Sequence, residues 1–202
     1  MLNRSFYQPM RVSFLMPIFA GVLITLAGSI LMAPARVDAQ ESPSEYQVKA
    51  AYLFNFLKFV EWPDDAFANS LSPIVIGVVG DDPFGGALPQ VVTGKTVQGR
   101  ELTIHKYHTG EDMRGAHILF ISSSEKKSLL TILSSLHGST VLTVADLEGF
   151  IDEGGMIQFV NENDRVRFAI NVEATSRARL KMSSKLLSLA KVVGGTVKET
   201  AR

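Results

Sequence analysis

The sequence contains no cysteine. That absence removes disulfide frameworks, thiol nucleophiles, iron–sulfur clusters and Cys-type zinc sites at once. It also lacks a charge bias, since 20 basic side chains balance 20 acidic ones. No basic field is present to draw in nucleic acid, so the chain is not read as a nucleic-acid binder. Tryptophan occurs once, at Trp62. What the chain does have is ordinary for a folded protein: 202 residues, 46% hydrophobic and 20% charged. That length fits one domain with an extension.

The first 39 residues read as a secretory signal. Arg4 and Arg11 form a positive start, and an apolar run extends from Val12 to Met32. Two small-residue cleavage patterns follow, Ala33-Pro34-Ala35 and Val37-Asp38-Ala39. Cleavage is expected after Ala39. The alternative is a retained membrane anchor, because a run of about 21 residues could span a bilayer. Pro17, Gly21, Gly28 and Ser29 weaken that alternative. Cleavage leaves 163 residues with 17 basic and 19 acidic side chains, a formal charge of −2. The expected organisation is a signal at 1–39, a linker at 40–44, one domain at 45–195 and a tail at 196–202.

Within that domain, Ser44 and Glu45 open a helix expected to run to about Val60. Its apolar residues cover more than half of the helical circumference, leaving Gln47, Ala51, Asn55 and Lys58 as a narrow polar strip. A surface helix on a single core shows a narrower apolar arc. The helix is therefore covered on more than one side, either inside its own domain or by another chain. Tyr46, Ala50 and Phe54 are the candidates for a partner or dimer surface. Trp62-Pro63 is expected to end the helix.

Downstream, strand-like and helix-like segments alternate. Ile74–Val79, Glu101–Tyr107, His117–Ser122 and Thr140–Val144 read as strands. A short helix is expected to start near Pro83, capped by Asp82, and another after Ser123 or Ser124. Met156–Val160 and Arg165–Ile170 read as a hairpin across Asn161-Glu162-Asn163-Asp164. Leu186–Val193 reads as a last helix, capped by Ser183 or Ser184 and stopped by Gly194-Gly195. The fold class is α/β, a three-layer sandwich with a mixed, mostly parallel sheet and a late antiparallel hairpin at its edge.

Catalytic and cofactor motifs are missing. Gly80-Asp81-Asp82-Pro83-Phe84-Gly85-Gly86 follows a strand but matches no phosphate loop. His105, His108, His117 and His137 form no metal spacing and read as isolated surface or strand-edge residues. No serine sits in a nucleophile elbow. The chain is read as non-enzymatic, with no cofactor and no metal. One region could take a small anionic ligand: Glu61-Trp62, with an aromatic plane for stacking, together with Lys181 and Ser183 at the expected start of the last helix.

Glu45–Pro63, Ile76–Phe84, Gly154-Gly155-Met156-Ile157, Arg165–Asn171 and Leu180–Ala190 together resemble the YfiR-type family of bacterial periplasmic proteins. The resemblance spans about Glu45 to Val193. It implies a compact, exported α/β domain, often dimeric. It also implies a regulator that restrains the periplasmic sensor portion of an inner-membrane signalling protein, such as a diguanylate cyclase or sensor kinase. Through cyclic di-GMP, such a regulator affects biofilm formation. The name-giving member carries disulfides; this chain has none, so disulfide-based redox control does not carry over. The competing reading is a periplasmic small-molecule binding protein that serves a transporter or sensor.

Overall fold

The computed structural model describes residues 44–194. The expected signal and the tail at 196–202 lie outside them. The domain opens with α1 (Glu45–Phe59), started by a reciprocal cap. Gln47 N–H donates to Ser44 Oγ at 3.3 Å, and Ser44 N–H donates to Gln47 Oε1 at 2.7 Å. The helix stops at Phe59, within one residue of the expected end near Val60 and ahead of Trp62-Pro63. Val60-Glu61 forms a short strand, β1, and Ser183 N–H takes the Phe59 carbonyl at 2.9 Å.

Then follow β2 (Ile74–Val79), α2 (Ala87–Val92), β3 (Thr96–Val97), β4 (Arg100–Tyr107) and β5 (Ile118–Ile121). A 3₁₀ turn, Ser123–Ser128, leads into α3 (Leu129–Ser135). The chain continues through β6 (Leu142–Ala145), β7 (Ile157–Glu162), β8 (Arg165–Asn171) and α4 (Val172–Arg177). It ends with β9 (Lys181–Met182), α5 (Ser184–Leu187) and β10 (Lys191–Val193).

Eight strands form one sheet in the order β10-β8-β7-β6-β5-β2-β4-β3, and β1 pairs with β9 in a separate ribbon. Five of the seven pairings in the large sheet are parallel; β7–β8 and β3–β4 are antiparallel. The fold is thus α/β with a mixed sheet, and its two faces are read directly from β5. Ile118 and Phe120 point into one core with α1 and α2, while Leu119 and Ile121 point into the other with α3. That alternation is the period of two that a strand imposes. Both cores are apolar, as a buried parallel sheet requires.

Several expectations need correction. The segment expected as a last helix, Leu186–Val193, divides into the single turn α5 and the strand β10. β10 lies parallel to β8, so the hairpin is not at the sheet edge. The helix expected at Pro83 begins at Ala87; Asp82 Oδ1 instead accepts from Phe84 N–H at 2.9 Å within the loop. The cap expected at Ser123 or Ser124 is Ser122, and it starts a 3₁₀ turn.

Candidate functional site

The ribbon brings together residues far apart in sequence. Glu61 lies opposite Lys181, and Val60 opposite Met182. Ser183 follows directly, so Glu61, Trp62, Lys181 and Ser183 share one neighbourhood. Glu61 and Lys181 are exposed there. The roles available to the other two differ from the expectation. Trp62 is only 9% exposed, and its Nε1–H donates to the carbonyls of His117 and Thr140 at 3.2 and 3.1 Å. A buried indole that spends its donor on two carbonyls is packing the core, not offering a plane to a ligand. Ser183 Oγ accepts from Leu186 N–H at 3.2 Å, and the helix it caps has four residues. One turn has little dipole to offer an anion.

The expected partner surface on α1 divides in the same way. Ala50 is fully buried and cannot touch another chain. Tyr46 is half-buried; its hydroxyl donates to Asp146 Oδ2 at 2.9 Å, and its ring meets Phe84 edge-on. Phe54 is half-buried beneath two ammonium groups, Lys58 at 4.1 Å and Lys95 at 4.7 Å from its centroid. Phe59 likewise lies under Lys185, at 5.3 Å. The outward side of α1 is therefore edged by aromatic rings carrying cations.

Two polar clusters escaped the sequence reading. Lys49 is buried and its ammonium binds Asp146 at 2.7 Å and Glu45 at 2.6 Å. Burial pulls its pKa down, but the two carboxylates outweigh that and the net shift is upward. The second is His117, expected at the surface or a strand edge and found buried at the start of β5. Its Nδ1 accepts from Val75 N–H at 3.1 Å, and its Nε2 has no hydrogen-bond partner. Burial, followed by the nearby Arg100 charge, lowers its pKa, and the Ala66 carbonyl only partly opposes this. A lysine inside an apolar arc was the one available signal for the first cluster; nothing local marked the second.

In an open α/β sheet, ligands usually sit beyond the carboxyl ends of strands where the order reverses. Here that point lies at β2, between β4 and β5. The chain fills it. Asp81 N–H donates to Ser124 Oγ at 2.9 Å, and a Cβ added to Gly80 would stand 2.4 Å from Ser124 Oγ. Two clefts of about 460 Å³ lie elsewhere. One sits between α3 and α4, with Leu133, Met156 and Arg177; the other lies beside α1 and the hairpin, with Tyr52 and Arg165. Neither includes the ribbon residues. Among the described residues, no three His, Asp or Glu side chains gather as metal ligands, and no helix is long and apolar enough to cross a membrane.

The geometry defines a three-layer α/β domain whose polar groups tie elements together. The YfiR/HmsC-like family profile matches residues 46–191, and the chain belongs to that family. No curated protein matches. Among solved structures, a conserved domain protein from Vibrio cholerae O1 biovar El Tor is similar at 9% identity with a TM-score of 0.50. The similarity covers 73% of this chain and 60% of that one, and it speaks to the fold alone.

Proposed function

We propose that this protein is a non-catalytic periplasmic regulator that binds the periplasmic sensor portion of an inner-membrane signalling protein, such as a diguanylate cyclase, and restrains it. Family membership across nearly the whole domain carries this reading. The expected signal segment and the cation-capped aromatic side of α1 support it. Aromatic residues are enriched at the centres of protein interfaces, and lysines are found more often at their rims.

The test has two arms. The mature protein is immobilised and used to capture detergent-solubilised inner-membrane proteins, and cyclic di-GMP is measured in cells that lack the gene. Recovery of a cyclase or sensor kinase, with cyclic di-GMP raised in the deletion, is the expected result. Recovery of no signalling protein together with unchanged cyclic di-GMP would sink the proposal.

A further inference from the structure

We propose that residues 63–73 form a flap over His117 and that acid opens it by protonating this imidazole. The flap runs between Pro63 and Pro73 and folds back on the amino ends of β2 and β5. Its Phe67 ring stacks on the His117 ring, with centroids 4.5 Å apart and planes within 19°. The opposite face of Phe67 carries the Arg100 guanidinium, 3.8 Å from the ring centroid. Arg100 also donates to the carbonyls of Asn69 and Ser72, both at 2.8 Å. A cation, an aromatic ring and a neutral imidazole thus form a stack that clamps the segment shut. The flap carries Leu71, which is 85% exposed.

The clamp requires His117 to be neutral. Because Val75 N–H donates to Nδ1, the ring's single proton sits on Nε2. A second proton would have to enter at Nδ1, where it would face the Val75 N–H and break that bond. The imidazolium would then set one donor against the Val75 N–H and leave the other with only the flap's Ala66 carbonyl nearby, too weak to offset burial, on the far side of Phe67 from the Arg100 cation. No carboxylate pairs with it among the described residues. The flap's own Asp64 and Asp65 are exposed, and Asp65 pairs with Arg179 at 2.8 Å. Trp62 meets the ring edge-on at 6.4 Å and supplies only an apolar wall. Lifting the flap lets water reach the charged ring, so the proton is taken up in the open form.

The sign follows from linkage. His117 has its pKa depressed in the closed form, so closure is fully stable above the ordinary histidine value of about 6.5. As pH falls below that value, the opening constant rises by up to about tenfold per unit, until the closed-state pKa is reached. The flap adjoins Glu61-Trp62, so opening would uncover new surface beside the β1–β9 ribbon. This inference does not depend on the partner proposed above.

Hydrogen exchange between pH 7.5 and 5.5, corrected for the intrinsic pH dependence, tests it on the mature protein. Amides 64–72 are expected to lose protection progressively below pH 6.5, while β5 and β6 amides hold theirs. In His117→Asn, whose amide oxygen can still accept from Val75 N–H but does not titrate, the loss should vanish. Flap protection that ignores pH, an equal slope in the variant, or β5 and β6 opening in step with the flap would each overturn the proposal. Should the variant not fold, NMR titration of His117 in the unaltered protein decides. A value below the ordinary one supports the clamp, and an ordinary value with the flap still protected refutes it.

Discussion

At the scale of single residues, two constraints explain side chains whose identity the sequence left open. Gly154 and Gly155 precede β7. Gly154 has φ +97°, a region that favours glycine. Gly155 is needed for a different reason: a Cβ there would lie 2.3–2.5 Å from ring atoms of Phe150. Phe150 is fully buried and cannot step aside. Gly155→Ala should therefore cost about 1–3 kcal/mol, seen as a lower denaturant midpoint with an unchanged slope. Lys49 illustrates the opposite case, a charge placed inside. Lys49→Met would leave the Asp146 carboxylate with only Tyr46, and the loss should be about 3 kcal/mol by chemical denaturation. Replacing Asp146 by Leu in the same chain should recover much of it, because both charges then leave together. Since the Lys49 pKa is raised, its contribution holds through neutral pH and is lost only as alkaline pH climbs through that raised value.

Elements show how local signals compete with pairing. The hairpin between β7 and β8 turns on Asn163 and Asp164, with φ of +51° and +57°. Two left-handed residues in a row are what a tight hairpin demands, and glycine suits the second position best. Asp164→Gly should stabilise the domain by about 0.5 kcal/mol, since relief of left-handed strain exceeds glycine's added flexibility. A small rise in melting temperature with unchanged secondary structure would confirm it. The start of α1 offers a second check. Ser44→Ala removes the oxygen that accepts from Gln47 N–H, and about 1 kcal/mol of stability should go with it.

The described domain is a sheet with two cores, and α1 lies on one of them with its outer side uncovered by other described residues. Tyr52 packs against Phe56, Phe159 and Phe168, joining α1 to the hairpin. This leaves Phe54, Lys58 and Lys95 as the ring-and-cation edge facing outward. Phe54→Glu should keep the fold, since Lys58 and Lys95 stand ready to pair with the new carboxylate. It should nevertheless weaken partner capture by at least about tenfold, as loss of an interface anchor does. Unchanged capture by a folded variant would move the partner surface elsewhere.

The sequence by itself determined the elements whose cause is local. The capped start of α1, the apolar run of β2, the alternation along β4 and the two strands of the hairpin all follow from spacing and side-chain type over a few residues. The motif set carried by Glu45–Pro63 and Leu180–Ala190 was equally legible as family resemblance. Tertiary structure decided the rest. Leu186–Val193 has the composition of a helix, yet Lys191–Val193 extends because β8 offers an unpaired edge whose backbone groups must be satisfied. Trp62 stands in a plausible place for a ligand, but the His117 and Thr140 carbonyls claim its donor. Glu61 and Lys181 become neighbours only because a two-residue ribbon pairs them across the fold. His117 is one histidine among four until Val75, Phe67 and Arg100 converge on it from three separate segments. Local propensity acts over a turn or a strand; burial and pairing depend on what the rest of the chain brings to the same place.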